Sequence, residues 1–249
     1  MPPRVAAALF ILVLWTACSV ERSAIAPGSG GEDTGVSSMD ARPDSVPDAP
    51  ATDAVVPRDA PRDVADIGTG CPPALGADCR WTSRMRLTFD NAGQDEELTD
   101  FPVMVALSEP RLDFADLQDA GEDLRFLDAT ATQVLPHEIE IWNEAARSVV
   151  WVRVPRIGAN STTDHVWVYY GHPDAPDAQD AGSVWSDGFE LVWHLSGSFA
   201  DSTSASNDGS NVGTTNAAGR LGRGRAFDGR GQYVDSDYDT ELTTVTVEA

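Results

Sequence analysis

Two glutamates at alternate positions of one short segment are the residues best placed for chemistry in this sequence. The stretch "HEIEIW" puts Glu138, Glu140 and Trp142 on one face of a strand and two isoleucines on the other. Alternate strand residues lie about 6.5–7 Å apart at Cα, so the two carboxyl groups fall within the range that glycosidases use. The competing interpretation is a solvated strand face with Trp142 packed on a neighbour, and no further acid lies at a helpful spacing.

An acidic run near the end of the chain is a second candidate site. The stretch "DSDYDTE" offers Asp235, Asp237 and Asp239 at alternate positions, and calcium prefers oxygen ligands of this kind. The run does not fit an EF-hand loop, because Thr240 and Thr246 stand where that loop needs Gly and Glu. A calcium site completed by backbone carbonyls and a solvated acidic loop are the two interpretations. Calcium is the one cofactor that the sequence suggests.

The first of three cysteines follows an apolar run near the N-terminus. Residues 5–15 are long enough for the core of an export signal and too short to span a bilayer, which takes about 20 residues. The small residues Thr16 and Ala17 precede Cys18, and this order resembles the lipobox of bacterial lipoproteins, whose cysteine is acylated. Residues 1–17 are therefore predicted to be a lipoprotein signal peptide. A plain cleaved signal with a leftover cysteine is the alternative.

The other two cysteines, Cys71 and Cys79, bracket the segment "CPPALGADC". Its two prolines and its glycine favour a tight turn, and export implies an oxidising compartment, so we expect a disulfide between them. A metal site is the rival interpretation, but no other Cys or His is near in sequence and the spacing is not a zinc pattern.

Charge and composition limit the partners. The chain has 249 residues and a formal net charge of -23, and its basic residues are all Arg. Nucleic acid is a poor partner for such a chain, because nucleic acid is bound by basic patches. Residues 18–70 are rich in Asp, Pro and Ala and contain no aromatic residue, so they are predicted to form a disordered tether. The predicted location is a bacterial cell envelope, lipid-anchored at the outer membrane or cell surface.

Short alternating segments fill residues 71–173 and predict a mostly β domain. Alternation is clear in "RMRLTFDN", "FPVMVAL", "SVVWVRVP" and "HVWVYYG", with Asp, Gly, Pro and Asn between the segments. Residues 111–121 are the single candidate for a short helix. Six or more short strands with turn signals between them predict an all-β sandwich or jelly roll.

The same segments carry a resemblance to a known family. The series "WTSRMRLTFDN", "DFPVMVAL", "GEDLRF", "LPHEIEIWN", "VWVRVP" and "VWVYYG", within Trp81–Pro173, resembles the bacterial extracytoplasmic domain of unknown function 2341. After a predicted hinge at residues 174–188, the alternation of "FELVWHL" and the later "FDG" and "YV" resemble the start of a laminin-G-like, concanavalin-type jelly roll. That domain is longer than residues 189–249, so we expect an incomplete second sandwich.

Two classes of function remain from the sequence. The four histidines have no Ser or Cys partner in a nucleophile motif, so we interpret them as structural. The first class is a surface-anchored, non-catalytic binding or adhesion module, whose partners are the membrane, through the lipid, and an extracellular polysaccharide or envelope protein. The second is an exported glycoside-acting enzyme, and an accessory role in an envelope transport complex is a third alternative. Aromatic stacking on a sugar would involve Trp142, Trp151, Trp167, Tyr169 and Tyr233.

Overall fold

The computed structural model describes residues 71–77, 80–108, 111–219, 222–236 and 238. The predicted signal peptide, Cys18 and the whole of the predicted tether lie outside these residues. Among the described residues, no helix is long and apolar enough to cross a membrane.

Eleven strands and one short α-helix make up the regular structure of the described residues. The strands are β1 Ser83–Thr88, β2 Leu98–Leu107, β3 Arg125–Leu127, β4 Val134–Leu135, β5 His137–Ile141, β6 Ser148–Ile157, β7 His165–Tyr170, β8 Gly209–Val212, β9 Thr215–Ala218, β10 Arg223–Ala226 and β11 Tyr233–Ser236. The helix is α1, Ala181–Val184, and two 3-10 turns occupy Pro73–Leu75 and Phe114–Asp116.

Two antiparallel sheets form a sandwich, which confirms the all-β prediction. The first sheet has the strand order β1-β7-β3-β4 and the second has the order β2-β6-β5. Two further pairs of antiparallel strands follow: β8 pairs with β11, and β9 pairs with β10, which both lie between β8 and β11 in the sequence. The sandwich core lies between the first two sheets, because both sheets contribute side chains to one buried apolar cluster.

Alternation along the strands explains which side chains enter the core. In β6, every second residue, Val150, Val152 and Val154, belongs to the buried cluster, whereas Trp151 and Arg153 face the other side of the sheet. The predicted segments of clear alternation all contain strands of the sandwich. Local periodicity was therefore a reliable guide to these strands.

Two segments lack the secondary structure that their sequence pattern predicted. Residues 111–121 form no α-helix, and only the 3-10 turn Phe114–Asp116 appears there, because Asp113 accepts from the backbone N–H of Ala115 and the next residues leave the helical conformation. Residues 189–195 alternate in polarity but form no strand. Val192 bonds instead with Asp201 and Ser202.

The outer face of the first sheet is covered by apolar side chains. Leu127 of β3 and Tyr169 of β7 point away from the core and pack with Trp81 and Ala175. Residues 71–75, including Cys71, pack against the same cluster. Cys79 lies outside the described residues, so the disulfide stays a prediction.

A β-bulge in β5 separates Trp142 from the face of the strand that carries Glu138 and Glu140, so the prediction that the three share one face is wrong. The register shifts between Ile139 and Ile141, so Glu140 has no partner in the ladder with β6. The extra residue shifts the alternation of faces by one position. Trp142 therefore packs on the core side, edge-on against Phe114, with ring centroids 5.3 Å apart. Trp142 therefore does not share a face with the glutamates.

The two residues of β4 offer a matched test of the sandwich. Leu135 is 1% exposed in the core, whereas its neighbour Val134 is 38% exposed. Leu135→Ala should lower the free energy of unfolding by about 2–5 kcal/mol, because it removes buried methyl groups and leaves a cavity. Val134→Ala should change it by less than about 1 kcal/mol. Urea denaturation measures both, and equal losses would contradict this description of the core.

One buried polar residue sits at the start of β5. His137 is 1% exposed, lies beside the ring of Phe126, and among the described residues neither of its ring nitrogens has a hydrogen-bond partner. Burial, helped by the charge of Arg125, lowers the pKa of His137 from 6.5 to about 4. The folded protein therefore holds this ring neutral where an unfolded chain would protonate it.

Acid should destabilise the fold through His137. The unfolded chain binds the proton more tightly, so this contribution to stability is present above pH 6.5 and is lost as the pH falls towards about 4. The loss should reach about 3 kcal/mol, given the difference between the two pKa values. Unfolding of wild type and His137→Leu across this range measures it, and parallel pH profiles for the two proteins would refute the assignment.

Candidate functional site

The outer face of the second sheet is polar, and one later stretch of chain lies on it. We call residues 181–204 the covering segment. It contacts the sheet at two places, around Glu138 and Glu140 on β5 and around Arg153 on β6. The first place contains the glutamates predicted as catalytic candidates, and the second contains a cavity.

Glu138 is held by three donors from the covering segment. Its Oε2 atom accepts from Trp185 Nε1 at 2.5 Å and faces His194 Nε2 at 3.1 Å, and its Oε1 atom accepts from Ser202 Oγ at 2.6 Å. Burial alone would raise the pKa of Glu138, but the hydrogen bonds from His194, Ser202 and Trp185 outweigh it and lower that pKa. These hydrogen bonds favour the charged carboxylate, and each of its two oxygens contacts at least one donor of the covering segment.

Glu140 approaches the same histidine from the other side. Its Oε2 atom accepts from Trp151 Nε1 at 2.7 Å and lies 3.4 Å from His194 Nδ1. Burial alone would lower the pKa of His194, but the hydrogen bond to Glu138 and the charges of both glutamates raise it. A carboxylate near each ring nitrogen favours the doubly protonated, charged form of His194, in which both nitrogens carry a hydrogen. These three residues form the Glu138–His194–Glu140 cluster.

The cluster does not resemble an activated nucleophile. Ser202 donates its hydroxyl hydrogen to Glu138 and not to the imidazole, so His194 is not placed to take a proton from it. The indole rings of Trp151 and Trp185 flank the histidine ring, at centroid distances of 6.0 and 5.7 Å. This arrangement binds the covering segment to the sheet. Sequence reasoning identified the two glutamates and interpreted His194 as structural, but it did not connect these residues or single out Trp185 and Ser202.

A polar cavity of about 330 Å³ opens beside the second contact place. We call it the Arg153 cavity, and it is lined by Asp100, Gln133, Leu135, Pro136, Arg153, Pro155, Ser183, Ser186 and Asp187. The side chain of Arg153 is 11% exposed and donates to Ser186 Oγ at 2.6 Å. It also forms an ion pair with Asp187, and its Nε atom lies 3.9 Å from Asp100.

Backbone strain coincides with the acidic residues of this cavity. Asp100 has a φ of 50° and Asp187 has a φ of 59°, values that non-glycine residues seldom adopt. Asp100 interrupts the ladder between β2 and β6, opposite Pro155, which has no N–H to donate. Strained residues cluster at ligand sites, because the surrounding structure must hold them there. The two carboxylates therefore make this cavity a candidate binding site.

A second cavity of about 270 Å³ lies at the first sheet. Arg80 and Asp174 line it and form an exposed ion pair. Arg125 also lines it, with its guanidinium 5.2 Å from the centre of the Trp81 ring and its donors directed to backbone carbonyls. The glutamates of the Glu138–His194–Glu140 cluster line neither cavity.

The predicted stacking residues do not come together in one site. Trp142 faces the core, and Trp167 lies on the first sheet, where Arg84 stacks on it at 4.6 Å and its indole N–H donates to Ala129. Tyr233 is 49% exposed on β11. Tyr169 is buried, and Trp151 belongs to the contacts of Glu140.

The predicted calcium site falls mostly outside the described residues. Asp235 lies on β11, whereas Asp237 and Asp239 are not described. In the part of the chain that the structure describes, no group of three or more His, Cys, Asp or Glu side chains is arranged to hold a metal ion. The calcium site stays a prediction.

One part of the chain is similar to a known protein family. Residues 120–212 match the family model described as Domain of unknown function (DUF2341). The matched stretch contains β3 to β7, the Glu138–His194–Glu140 cluster, Arg153 and the whole covering segment. It begins later than the sequence resemblance and runs past Pro173, across the predicted hinge. No curated protein and no solved structure matches the chain.

Removing the carboxylate of Glu138 should be costly to the fold. Glu138→Ala leaves three donors, one of them the largely buried ring of His194, without their acceptor, so we expect a loss of about 3–5 kcal/mol in the free energy of unfolding. Glu97→Ala is the control, because Glu97 pairs with Arg156 on the surface, where an ion pair contributes about 0–1 kcal/mol. Chemical denaturation at neutral pH measures both. A loss at Glu138 no larger than that at Glu97 would contradict its structural role.

Proposed function

We propose that this protein is an exported, lipid-anchored and non-catalytic binding module of a bacterial cell envelope, with carbohydrate as its ligand. The anchor is Cys18, which follows the apolar run and two small residues. The acidic, proline-rich residues 18–70 act as a spacer between the membrane and the sandwich. A laminin-G-like domain beginning near residue 189 would extend the same arm.

The Arg153 cavity is the observation that carries the binding proposal. Its volume of about 330 Å³ falls at the lower end of the range for small-ligand sites, which suits a single sugar residue. Carboxylates, an amide and hydroxyls line it beside Leu135 and two prolines. Such groups accept and donate hydrogen bonds to sugar hydroxyls, while the two prolines contact the sugar ring.

The geometry favours binding over glycoside hydrolysis by the predicted glutamates. A general acid needs its proton within reach of a substrate, and a nucleophile or base needs a free carboxylate oxygen. Glu138 accepts from three side chains, and Glu140 accepts from Trp151 while contacting His194. Both side chains are also largely buried, at 14% exposed for Glu138 and 7% for Glu140, so little of either carboxylate is open to a substrate.

Carbohydrate binding can be tested with a matched pair of aspartates. The full chain is screened on a glycan array, and affinity for any bound glycan is then measured by calorimetry. Asp187→Ala should weaken binding about ten-fold, because it removes an acceptor for sugar hydroxyls at the Arg153 cavity. Asp174→Ala should leave affinity unchanged, since that residue pairs with Arg80 at the other cavity.

Three outcomes of this test would count against the proposal. Absence of binding to every glycan would refute the carbohydrate ligand. Equal weakening by both aspartate variants would refute the placement at the Arg153 cavity. Release of reducing sugar that is abolished in the double variant Glu138→Gln, Glu140→Gln would favour the enzyme alternative.

A further inference from the structure

We propose that His194 is a positioning residue of the Arg153 cavity, and that ligand affinity at this cavity falls when the ring of His194 loses a proton. The ring is held between Glu138 and Glu140. It thereby fixes the position of residues 183–187, which form one wall of the cavity. This inference rests on the proposed function for its ligand, but the structural change that it predicts can be measured without one.

A short series of contacts joins His194 to the cavity. The Oε2 atom of Glu138 is shared by His194 Nε2, at 3.1 Å, and Trp185 Nε1, at 2.5 Å. Trp185 immediately precedes Ser186 and Asp187, which both line the cavity and both contact Arg153. His194 is therefore connected to the cavity through the Oε2 atom of Glu138 and through Trp185, which is the residue next to Ser186.

The contacts of the ring depend on its protonation. Nε2 faces Glu138 at 3.1 Å and Nδ1 faces Glu140 at 3.4 Å. A neutral imidazole has one N–H, so one of its nitrogens would then direct a lone pair at a carboxylate. Loss of the proton removes an attraction and creates a repulsion inside a site from which water is largely excluded.

Among the described residues, the charged groups that face this ring are the two glutamates, and both come from β5. Trp151 of β6 and Trp185 of the covering segment lie against the ring and carry no charge. The two carboxylates therefore determine the direction of the effect. They stabilise the charged ring, so release of the covering segment should occur above the ordinary titration range of histidine and should increase as the pH rises.

Hydrogen exchange of the ligand-free chain tests the structural part of the inference. Mass spectrometry follows the peptides that contain residues 183–187 between about pH 6 and about pH 9, with correction for intrinsic exchange. In the wild-type protein, protection of these peptides should fall as the pH rises. In His194→Gln, protection should no longer depend on pH in this way, because the replacement side chain does not titrate.

Two further variants keep the test informative if His194→Gln folds poorly. Glu140→Gln removes one of the charges but keeps an oxygen acceptor for Trp151, so it should move the loss of protection to lower pH. His165→Gln is the matched control, because His165 contacts Arg86 and Trp167 on the other sheet, and it should keep the wild-type profile. A wild-type profile in both His194→Gln and Glu140→Gln would overturn the inference, as would constant protection in the wild-type protein.

Binding measurements test the coupling to the cavity. Affinity for the glycan identified on the array should fall about ten-fold across the same pH range in the wild-type protein, and should be nearly constant in His194→Gln. If exchange changes with pH while affinity does not, the coupling is wrong. If no glycan binds at all, the proposed function fails, and the exchange experiment still decides whether His194 holds the wall.

Discussion

The central position of β6 is the constraint on which the described structure depends. It pairs with β2 on one edge and with β5 on the other, so both of its faces must be covered. The inward face carries valines and closes the core against the first sheet. The outward face carries Trp151 and Arg153, which cannot be buried without hydrogen-bond partners. The covering segment and β5 supply those partners.

The outer faces of the two sheets are covered by different kinds of contact. The first sheet is covered by an apolar cluster around Trp81 and Tyr169. The second is covered through a histidine between two carboxylates and through an arginine bonded to Ser186 and Asp187. Apolar contacts are non-directional, whereas hydrogen bonds fix orientation. The polar arrangement therefore specifies one position of the covering segment.

This polar attachment also explains why a cavity lies on that side. Around Arg153, the ladder is interrupted at Pro155 and two aspartates adopt left-handed backbone conformations, so the surface does not close completely. The region matched to the domain of unknown function includes both the attachment and most residues of the cavity. Apart from Asp100, the candidate site and its support thus lie within one matched stretch, although they come from distant parts of that stretch.

The sequence by itself determined the main strands of the sandwich and the polarity of their faces, because alternation is a local property that survives in the folded chain. It could not determine the position of Trp142, since a single bulged residue in β5 reverses the face of the next side chains. The sequence also singled out Glu138 and Glu140 but not their role. Their partners lie 11 to 64 residues further along the chain, in β6 and in a segment whose alternation predicted a strand that does not form. Only the tertiary structure decided that these carboxylates hold the covering segment, because hydrogen bonds over such separations depend on how the chain packs and not on local pattern.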